Sequence, residues 1–456
     1  MKKPTLAGFL SAIIWGSGQA YNGQWLKGII FFIFQVALVG TELLTGNYFA
    51  SSFTIRDNAG FFVKGLWGAT TLGTQGMVLT ENGLTPGDHS IMLLIQGIIS
   101  TIVLIILLVI FVINIRDAYK SAKLINETGI VLSSKEWLIQ TFEHAFEYII
   151  LIPSSLMLLM FSLMPIIFGF LVGFTNYNSN NLPPTKLVDW VGLNNFKFLF
   201  SLGESQSSSG NIWFYTFWNV FLWTIIFAVV ATATPFFLGL FQAVILNNKR
   251  VFGKKIWRSI LILPWAIPAM ISQLNFQQLF NGQFGPINQY LMQWGIIDSP
   301  IYWLTDPNNP WIPRLTILAI NLWLGFPYFM ALMSGVMTSI SKDIYEAAEI
   351  DGASERKQFW QITLPLVLAQ TAPLLVMSFA SNFNNFGLIY FLTAGGPVNP
   401  NYIYAGNTDI LISWIYKLTV DFRMYNMASI MSIIIFLIIG TFSAWNFTRT
   451  AAFKED

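Results

Sequence analysis

Long apolar segments alternate with shorter polar connections over most of the chain. A membrane-spanning helix needs about 20 consecutive, mostly apolar residues. Eight segments reach that length, and the pattern therefore predicts spanning helices at 26–44, 91–114, 148–173, 214–246, 257–280, 315–340, 366–392 and 427–448. A further apolar run, at residues 6–15, is too short to span. It is predicted to lie in the membrane interface or against the helical bundle.

A polar, charged stretch at residues 341–365 interrupts the apolar pattern between the sixth and seventh predicted spans. Within it, Ile344, Ala347 and Ala348 recur at spacings of three and four, which predicts a short helix at 342–350. Small alanines let another surface approach such a helix closely. The stretch therefore has features of a docking element, but the residues alone favour an amphipathic hairpin packed on its own bundle.

The same stretch contains the signals of a tight turn and of a return to the membrane. Gly352 stands where a helix needs a left-handed terminator, because glycine adopts positive φ without steric cost. A second short helix is predicted at 354–364, and Pro365 is predicted to mark re-entry into the bilayer. The sequence thus predicts two short helices joined by a glycine turn.

The composition supports an all-α polytopic membrane protein. Hydrophobic residues make up 54% of the chain and charged residues only 10%, whereas soluble domains have about 25% charged residues. Cysteine is absent, which excludes disulfides, thiolate nucleophiles and cysteine metal sites. The two histidines, His89 and His144, are predicted outside the helix centres, so no metal site is predicted.

The positive residues predict the orientation of the chain in the membrane. If the N-terminus is cytoplasmic, 17 of the Lys and Arg residues fall on the inner side and 7 on the outer side. This distribution obeys the positive-inside rule. Both termini and the 341–365 stretch are therefore predicted to be cytoplasmic. The outer connection at 45–90, with alternating Gly and Thr, is compatible with a small β-like cap, but its fold does not follow from the sequence.

The sequence also excludes several kinds of catalytic site. No Gly-Lys-Ser or Gly-Lys-Thr occurs, so the chain lacks a Walker-type phosphate loop, and any ATP hydrolysis must take place on another polypeptide. Paired carboxylates, a His-Glu zinc motif and a Ser-His arrangement are missing at helix depth. No catalytic residue is predicted, and an intramembrane enzyme is the least favoured interpretation.

Polar residues cluster in the seventh predicted span. Ser378, Asn382 and Asn385 recur at i, i+4 and i+7, which places them on one face of a helix. Asparagine occurs three times between residues 382 and 385, and each unsatisfied amide in the bilayer core costs several kcal/mol. The cluster therefore predicts a water-accessible cavity rather than simple helix packing.

The sixth predicted span carries a matching polar face. Asn321, Gly325 and Tyr328 follow the same spacing. Facing stripes of neutral donors and acceptors suit an uncharged, polyhydroxylated ligand, because amides and hydroxyls pair with sugar hydroxyls and Tyr328 can lie against a sugar ring. Interhelical hydrogen bonds and small-residue packing are the alternative explanation for Asn321 and Gly325.

Two prolines four residues apart, Pro264 and Pro268, fall in the fifth predicted span. Each removes a backbone hydrogen bond and favours a kink. This segment is therefore a candidate gate or hinge, and a static kink that only shapes the bundle is the equally weighted alternative.

The polar stretch carries a family resemblance. Its order of Glu-Ala-Ala at 346–348, three residues, Gly352, nine residues and Ile-Thr-Leu-Pro at 362–365 resembles the EAA signature of permease subunits in bacterial ABC importers. In that family the segment is the cytoplasmic coupling helix, which enters a cleft on an ATPase subunit. The resemblance implies coupling residues at Glu346, Ala347, Ala348, Asp351 and Gly352.

Other stretches resemble the larger permease subunit of maltose and maltodextrin importers, the MalF type. The similarity covers roughly residue 174 to the C-terminus and implies a type I ABC importer permease fold with about eight transmembrane helices. The stretches that carry it are 261–268, 321–328, 341–365 and 379–397. The sugar-contacting positions that it implies are Asn321, Leu324, Gly325, Tyr328, Ser378, Asn382 and Asn385.

Two departures from the MalF type affect what can be transferred. Ser381 stands where the best-known relatives carry an aromatic residue, so one stacking wall is expected to be weaker or supplied elsewhere. The large extracytoplasmic domain that enterobacterial members insert after the third span is missing. The chain resembles the short-loop Gram-positive form, in which the binding protein is usually a tethered lipoprotein.

The resemblance also implies partners and a location. It implies a second, MalG-like permease subunit, two ATPase subunits that bind ATP with Mg, an extracellular sugar-binding lipoprotein and an oligosaccharide substrate. It places the chain in the bilayer of the bacterial plasma membrane, with no cofactor bound by this chain and no nucleic acid. We expect an N-terminal region with two spans at 1–147 and a permease core with six spans at 148–456, including the hairpin at 341–365.

The expected function is that of a permease subunit of an ATP-driven importer for maltose or maltodextrin-type oligosaccharides. A permease of an ABC importer for another oligosaccharide is the first alternative. An ion-coupled sugar transporter is the second, but such proteins place ionisable residues within their spans. Here Glu42 and Arg314 lie near the ends of predicted spans.

Overall fold

The structure is a computed structural model that describes residues 2–80, 83–131, 133–200, 208–248 and 250–447. The described residues divide into two compact units, one within 1–195 and one within 196–456. The predicted division after residue 147 follows the membrane topology and stays a prediction. Three of the Lys and Arg residues predicted on the inner side lie outside the described residues: Lys249, Arg449 and Lys454. Residue 448, the last one of the eighth predicted span, also lies outside them.

The first unit is built on α6 (Ser90–Thr128), a 39-residue helix whose residues 90–115 carry no charge. The other elements of this unit are α1 (Pro4–Ile13), α2 (Ser17–Tyr21), α3 (Trp25–Thr45), α4 (Ile55–Asn58), α5 (Phe61–Thr71), β1 (Val78–Thr80), β2 (Gly83–Thr85), α7 (Ser134–Leu158) and α8 (Met164–Val172). β1 and β2 form an antiparallel hairpin in which Val78 lies opposite Thr85.

Small residues let α5 lie directly against α6. A Cβ atom on Gly97 would lie 2.4 Å from the Cβ of Ala69, and one on Gly65 would lie 2.2 Å from Ser100 Oγ. Such contacts allow helix backbones to approach closely in a membrane. The β-like cap considered for 45–90 is present only in part, because helices occupy much of the described connection and its strands are the short β1 and β2.

The second unit is arranged around the long helices α10 (Ser208–Asn247) and α14 (Trp311–Ser339), and α9 (Asn194–Phe200) precedes it. Its other helices are α11 (Lys254–Ala266), α12 (Ala269–Leu279), α13 (Pro286–Gln293), α15 (Lys342–Ile350), α16 (Glu355–Gln358), α17 (Leu364–Phe383), α18 (Phe386–Thr393), α19 (Leu411–Val420) and α20 (Tyr425–Phe447).

A close backbone crossing joins α10 to α14. A Cβ atom on Gly239 would lie 2.6 Å from the Cβ of Phe329 and 2.7 Å from the backbone nitrogen of Met330, so only glycine fits there without movement. Beside this crossing, Phe236 of α10 packs in one buried cluster with Val367 of α17. The three helices α10, α14 and α17 therefore share a core.

Six helical stretches among the described residues are long and apolar enough to cross a membrane: α3, α6, Ser134–Val172, Ile212–Asn247, α14 and Glu355–Thr393. A seventh arises if α11 and α12, which are bent by 88°, count as one broken span. The eighth predicted segment is helix α20, in which Tyr425–Thr441 is a shorter apolar run. The predicted all-α polytopic fold is confirmed, with six or seven spans meeting this test instead of eight.

Two of these stretches contain a wide, π-helical turn next to a proline. Leu159–Leu163 precedes Pro165, and Phe359–Thr363 precedes Pro365. Proline offers no N–H to the helix, and a wider turn accommodates the missing hydrogen bond. The second short helix predicted at 354–364 is therefore wrong as a separate element. α16, the π-helical turn and α17 form one helical stretch, which Pro365 does not interrupt.

A buried ion pair holds the connection between α18 and α19. Lys417 Nζ lies 2.6 Å from Asp409 Oδ2, and the Asp409 side chain is fully buried. The Gly406 backbone N–H and the Ser413 hydroxyl donate to the same carboxylate at 2.6 and 2.7 Å. Because several donors surround the carboxylate, the connection is fixed to the first turns of α19.

Candidate functional site

A proline in α10 leaves one backbone carbonyl without its usual helical partner. Pro235 lacks the N–H that would otherwise bond the carbonyl oxygen of Ala231, four residues earlier. Asn321 of α14 and Asn382 of α17 both donate to this oxygen through Nδ2, at 2.9 and 3.2 Å. Asn382 Nδ2 also donates to Thr232 Oγ1 at 3.0 Å. Three helices thus meet at one carbonyl group.

These side chains line a small cavity of about 170 Å³ within the second unit. Six of the seven predicted sugar-contacting positions lie on its wall: Asn321, Leu324, Gly325, Tyr328, Ser378 and Asn382. The wall is completed by Ala231, Pro235, Trp265, Phe329 and Ser381. Amides, hydroxyls, aromatic rings and apolar groups all contribute, and no charged residue lines the cavity among the residues that the structure describes.

The seventh predicted position, Asn385, is not a lining residue of the cavity. α17 ends at Phe383, and Asn385 caps α18 by accepting a hydrogen bond from the Leu388 backbone N–H at 3.3 Å. Its Nδ2 donates to Asn382 Oδ1 at 3.4 Å. The prediction that Asn385 shares one helical face with Ser378 is therefore wrong, because the helix breaks before it. Asn385 instead contacts a cavity residue.

Trp265 is a cavity residue that sequence analysis missed. It lies at the end of α11, and its ring centroid is 6.2 Å from that of Tyr328, with the ring planes at 49°. Ser381 lines the cavity at the position where the resemblance implies an aromatic residue. An indole ring is thus present on the wall, although it comes from another helix. The sequence did contain a signal for this residue, because Trp265 lies between Pro264 and Pro268, the two prolines of the predicted kink.

The kink itself is at the second proline of that pair. α11 ends at Ala266, Ile267 is extended with φ −89° and ψ 135°, and α12 begins directly after Pro268. A residue that precedes proline is sterically pushed out of the helical region. Pro264 lies inside α11 without ending it. The gating role proposed for both prolines stays a prediction, but only Pro268 stands at a break.

The polar hairpin between α14 and α17 begins as predicted. α15 covers Lys342–Ile350, and Ser341 caps it by accepting a hydrogen bond from the Asp343 backbone N–H at 3.3 Å. Gly352 has φ +72°, so the left-handed turn that the sequence predicted is confirmed. Ile350, the last residue of this helix, is 87% exposed.

The predicted coupling residues lie on or beside this helix. Ala348 is half-buried, and the others are exposed: Glu346, Ala347, Asp351 and Gly352. Two hydrogen bonds fix the hairpin to the helix that follows it. The hydroxyls of Tyr345 and Thr363 are 2.9 Å apart, and Gln358 Nε2 donates to the Ala353 carbonyl at 3.1 Å. The two hydrogen bonds therefore fix the exposed helix α15 and its turn to the following helical stretch.

Comparison with known proteins identifies the family. Residues 235–450 match the family described as "Binding-protein-dependent transport system inner membrane component". The galactooligosaccharides transport system permease protein GanP of Bacillus subtilis is 39% identical over 98% of this chain and 98% of its own length. The maltodextrin transport system permease protein MalC of Streptococcus pneumoniae is 36% identical over 100% of this chain and 98% of its own length.

A solved structure shows the same fold. It is a crystal structure of a bacterial ABC transporter involved in the import of the acidic polysaccharide alginate. The matched chain is 23% identical, with a TM-score of 0.54, and the match covers 69% of this chain and 100% of that one. The predicted resemblance to importer permeases is confirmed, and this chain belongs to the family of binding-protein-dependent transport system inner membrane components.

Proposed function

We propose that this chain is a membrane-spanning permease subunit of an ATP-driven importer for neutral oligosaccharides of the maltose and maltodextrin type. The observation that carries the proposal is the uncharged cavity between α10, α14 and α17, lined by amides, hydroxyls and three aromatic rings. Neutral hydrogen-bonding groups and aromatic faces are the groups that sugar rings contact.

The chemistry of the cavity wall matches a sugar in detail. Asn382 Oδ1 and Ser378 offer hydrogen-bonding groups, and Trp265 and Tyr328 offer rings against which the apolar face of a pyranose can lie. Among the residues that the structure describes, the wall carries no Lys or Arg, which an acidic sugar would require as counter-charges. A neutral substrate is therefore favoured over an acidic polysaccharide such as alginate.

The cavity is too small to enclose a whole oligosaccharide, which favours a transport path over a tight binding site. Its volume of about 170 Å³ lies below the range of about 300–1,000 Å³ that is usual for small-molecule sites. An oligosaccharide would need the surrounding helices to move apart or would pass with only part of its length inside. The break between α11 and α12 at Pro268 would allow Trp265 to move with such an opening.

The energy for this movement would come from other chains. We propose that α15 and Gly352 dock on an ATPase subunit and that two such subunits bind ATP with Mg, since this sequence has no Walker-type loop. A second, MalG-like permease subunit and an extracellular sugar-binding lipoprotein would complete the transporter. In this arrangement both termini are cytoplasmic in a bacterial plasma membrane, and the chain performs no covalent chemistry.

A galactooligosaccharide is the second candidate substrate. The 39% identity to GanP favours it, and neutral amides and aromatic rings recognise galactose as well as glucose. An ion-coupled sugar transporter is disfavoured because, among the described residues, the cavity wall carries no Asp, Glu, His, Lys or Arg. ATP-dependent uptake that persists with a protonophore would distinguish the ABC mechanism from ion coupling.

The experiment is an uptake assay with the complete transporter reconstituted in liposomes. Labelled maltotriose, maltotetraose, β-linked galactobiose and an oligouronate are offered with and without ATP. We expect ATP-dependent uptake of the maltodextrins and exclusion of the oligouronate. Uptake of galactobiose alone would assign the second substrate, and uptake without ATP would refute the ABC mechanism.

Matched variants test the path through the cavity. Asn382→Leu and Tyr328→Ala should impair uptake while the transporter still assembles. Asn384→Leu is the control, because Asn384 belongs to the same asparagine cluster but is exposed and donates to the Ala380 carbonyl at 3.2 Å. Unchanged uptake in both cavity variants would place the sugar path elsewhere in the bundle.

A further inference from the structure

A second concavity, of about 430 Å³, lies in the first unit between α1 and α6. Its apolar lining, here called the floor, consists of Gly8, Phe9, Ala12 and Ile115. The α6 side of the groove also carries Arg116, Tyr119 and Lys120, and Thr5 completes the lining. The groove thus joins an apolar floor to a basic edge.

The basic edge lies where α6 leaves the apolar part of the membrane. Residues 90–115 contain no charged side chain, and Arg116 is the first one in this helix. At about 1.5 Å per residue these 26 residues extend over roughly 39 Å, which exceeds the hydrocarbon core of about 30 Å. Arg116 and the following turn are therefore placed at the level of the lipid headgroups.

The two cations of the edge are available to an anion. Arg116 and Lys120 are four residues apart, so they share one helical face. Neither has an ion-pair partner among the residues that the structure describes. The acid between them, Asp117, is already engaged, since Lys27 Nζ lies 2.6 Å from its Oδ1 and Gln19 Nε2 donates to its Oδ2 at 3.1 Å.

The outer face of α1 is apolar and exposed beside the groove. Leu6, Phe9 and Ile13 follow the i, i+3, i+7 spacing of one helical face, and Phe9 is 63% exposed. The opposite face, with Ala7 and Gly8, is buried. Such a helix lies along the boundary between headgroups and acyl chains, with its apolar face toward the chains.

Buried hydrogen bonds hold α1 in place. Asn114 Nδ2 donates to the Ser11 carbonyl at 2.9 Å, and the Ser11 hydroxyl donates to Gln19 Oε1 at 2.9 Å. Gln19 Nε2 in turn donates to the Asn114 carbonyl at 2.9 Å. The groove is therefore preformed, which reduces the entropy cost of binding a ligand there.

We propose that this groove binds an anionic glycerophospholipid. The headgroup phosphate lies between Arg116 and Lys120, and one acyl chain follows Phe9, Ala12 and Ile115. Guanidinium and ammonium groups pair with phosphate through charge-assisted hydrogen bonds, and basic pockets at the ends of transmembrane helices suit anionic headgroups. A zwitterionic lipid would place its own cation against the same edge and bind less well.

Native mass spectrometry of the full chain, purified with its accompanying subunits, tests this site. Phosphatidylglycerol and phosphatidylcholine are supplied in equal amounts. The wild type should retain phosphatidylglycerol preferentially, and Arg116→Ala combined with Lys120→Ala should lower that retention roughly tenfold to thirtyfold. Lys123→Ala combined with Lys135→Ala removes the same charge from exposed positions outside the groove and should leave retention unchanged.

Three outcomes would overturn the proposal: equal loss in the control variant, equal retention of both lipids by the wild type, and displacement of phosphatidylglycerol by millimolar inorganic phosphate. A second measurement avoids purification. Phe9 is replaced by photo-reactive p-benzoylphenylalanine and irradiated in native membranes. A phospholipid adduct supports the site, whereas cross-linking to another protein chain would assign the groove to a subunit contact.

Discussion

Asn321 and Asn382 donate hydrogen bonds to the same atom, the carbonyl oxygen of Ala231, from two different helices. This oxygen is free to accept both because Pro235 cannot supply the usual helical N–H. A carbonyl has two lone pairs, so it remains paired when one donor is lost and becomes unsatisfied when both are lost. Because Ala231 is buried, loss of both donors leaves its carbonyl unpaired and costs more stability than loss of either donor alone.

The two asparagines should therefore be energetically coupled. Asn321→Leu and Asn382→Leu keep side-chain bulk but remove the amide. The double variant should be less stable than the sum of the single effects predicts, by about 1–3 kcal/mol, the cost of a buried unpaired carbonyl. Denaturant unfolding of the purified chain in detergent measures this coupling.

Pro235→Ala provides the control for that coupling. The new backbone N–H can bond the Ala231 carbonyl within α10, so the coupling between the two asparagines should fall to near zero in this background. Additive effects with proline present, or the same coupling without it, would contradict the shared-acceptor arrangement.

Two glycines of α14 should respond oppositely to alanine. A Cβ atom at Gly325 would lie 3.2 Å from the Cβ and Cγ atoms of Pro235, and the proline ring cannot turn away. Gly325→Ala should lower stability by about 1 kcal/mol through overpacking and should slow uptake by narrowing the cavity. Thermal unfolding and reconstituted uptake measure the two effects.

Gly335→Ala is the matched variant in the same helix. A Cβ atom at Gly335 would have no neighbour within 4 Å among the described residues, and alanine favours a helix over glycine by roughly 0.5–1 kcal/mol. Its unfolding temperature should stay equal or rise, with normal uptake. Equal behaviour of the two variants would show that the Pro235 contact imposes no constraint.

Trp265 should contribute to sugar affinity in a way that Trp257 does not. Both rings are exposed on α11, but only Trp265 lines the cavity and contacts Tyr328. Trp265→Ala should raise the apparent KM for maltodextrin uptake roughly threefold to tenfold through loss of ring contact. Trp265→Phe should recover part of the affinity, and Trp257→Ala should leave KM unchanged. A similar KM change in both alanine variants would indicate a general effect on α11.

The extent of correct sequence prediction differed between the hairpin and the cavity. The bounds 342–350 and the turn at Gly352 were correct because capping, periodicity and positive φ are local properties. Asn385 was misplaced because helical periodicity contains no information about a break between α17 and α18. Trp265 was missed because its neighbours on the cavity wall come from distant parts of the chain.

The interaction around Pro235 could be predicted from the sequence only in part. A proline within a predicted span identifies the carbonyl four residues earlier as one that needs another donor, so Ala231 was identifiable from sequence. Which side chains supply the donors depends on how α10, α14 and α17 pack. That packing rests on close contacts such as the one at Gly239, which a hydrophobic pattern does not encode.

The ion pair between Asp409 and Lys417 should be essential for the connection that leads into α19. Lys417→Met leaves a fully buried carboxylate with only the donors from Gly406 and Ser413. Loss of one partner of a buried pair should lower stability by about 3–5 kcal/mol. Thermal unfolding of the purified chain checks this value. Lys186→Met, at an exposed position, is the control, and Asp409→Asn should restore part of the loss in the double variant.

Tyr345 should transmit movement of the hairpin to α17. Its hydroxyl contacts that of Thr363 at 2.9 Å, while its ring packs in the buried cluster that contains Val367. Tyr345→Phe removes the hydrogen bond and keeps the ring. If the hairpin couples to an ATPase, the sugar transported per ATP hydrolysed should fall roughly twofold to fivefold, because a hydrogen bond contributes about 1 kcal/mol. The rate of ATP hydrolysis should stay normal.

Two further variants separate this coupling from a general defect. Thr363→Val removes the other hydroxyl with little change of shape, so it should reproduce the effect, and the double variant should be no worse than either single one. Tyr290→Phe removes a hydroxyl from an exposed ring of α13 and should transport normally. An unchanged ratio of sugar to ATP in both hairpin variants would mean that the hydrogen bond only stabilises the fold. A lower ratio of sugar to ATP in both single variants, with no further decrease in the double variant, would support the proposed coupling. This contact would then be the link between the exposed helix α15 and α17, the helix that carries Asn382.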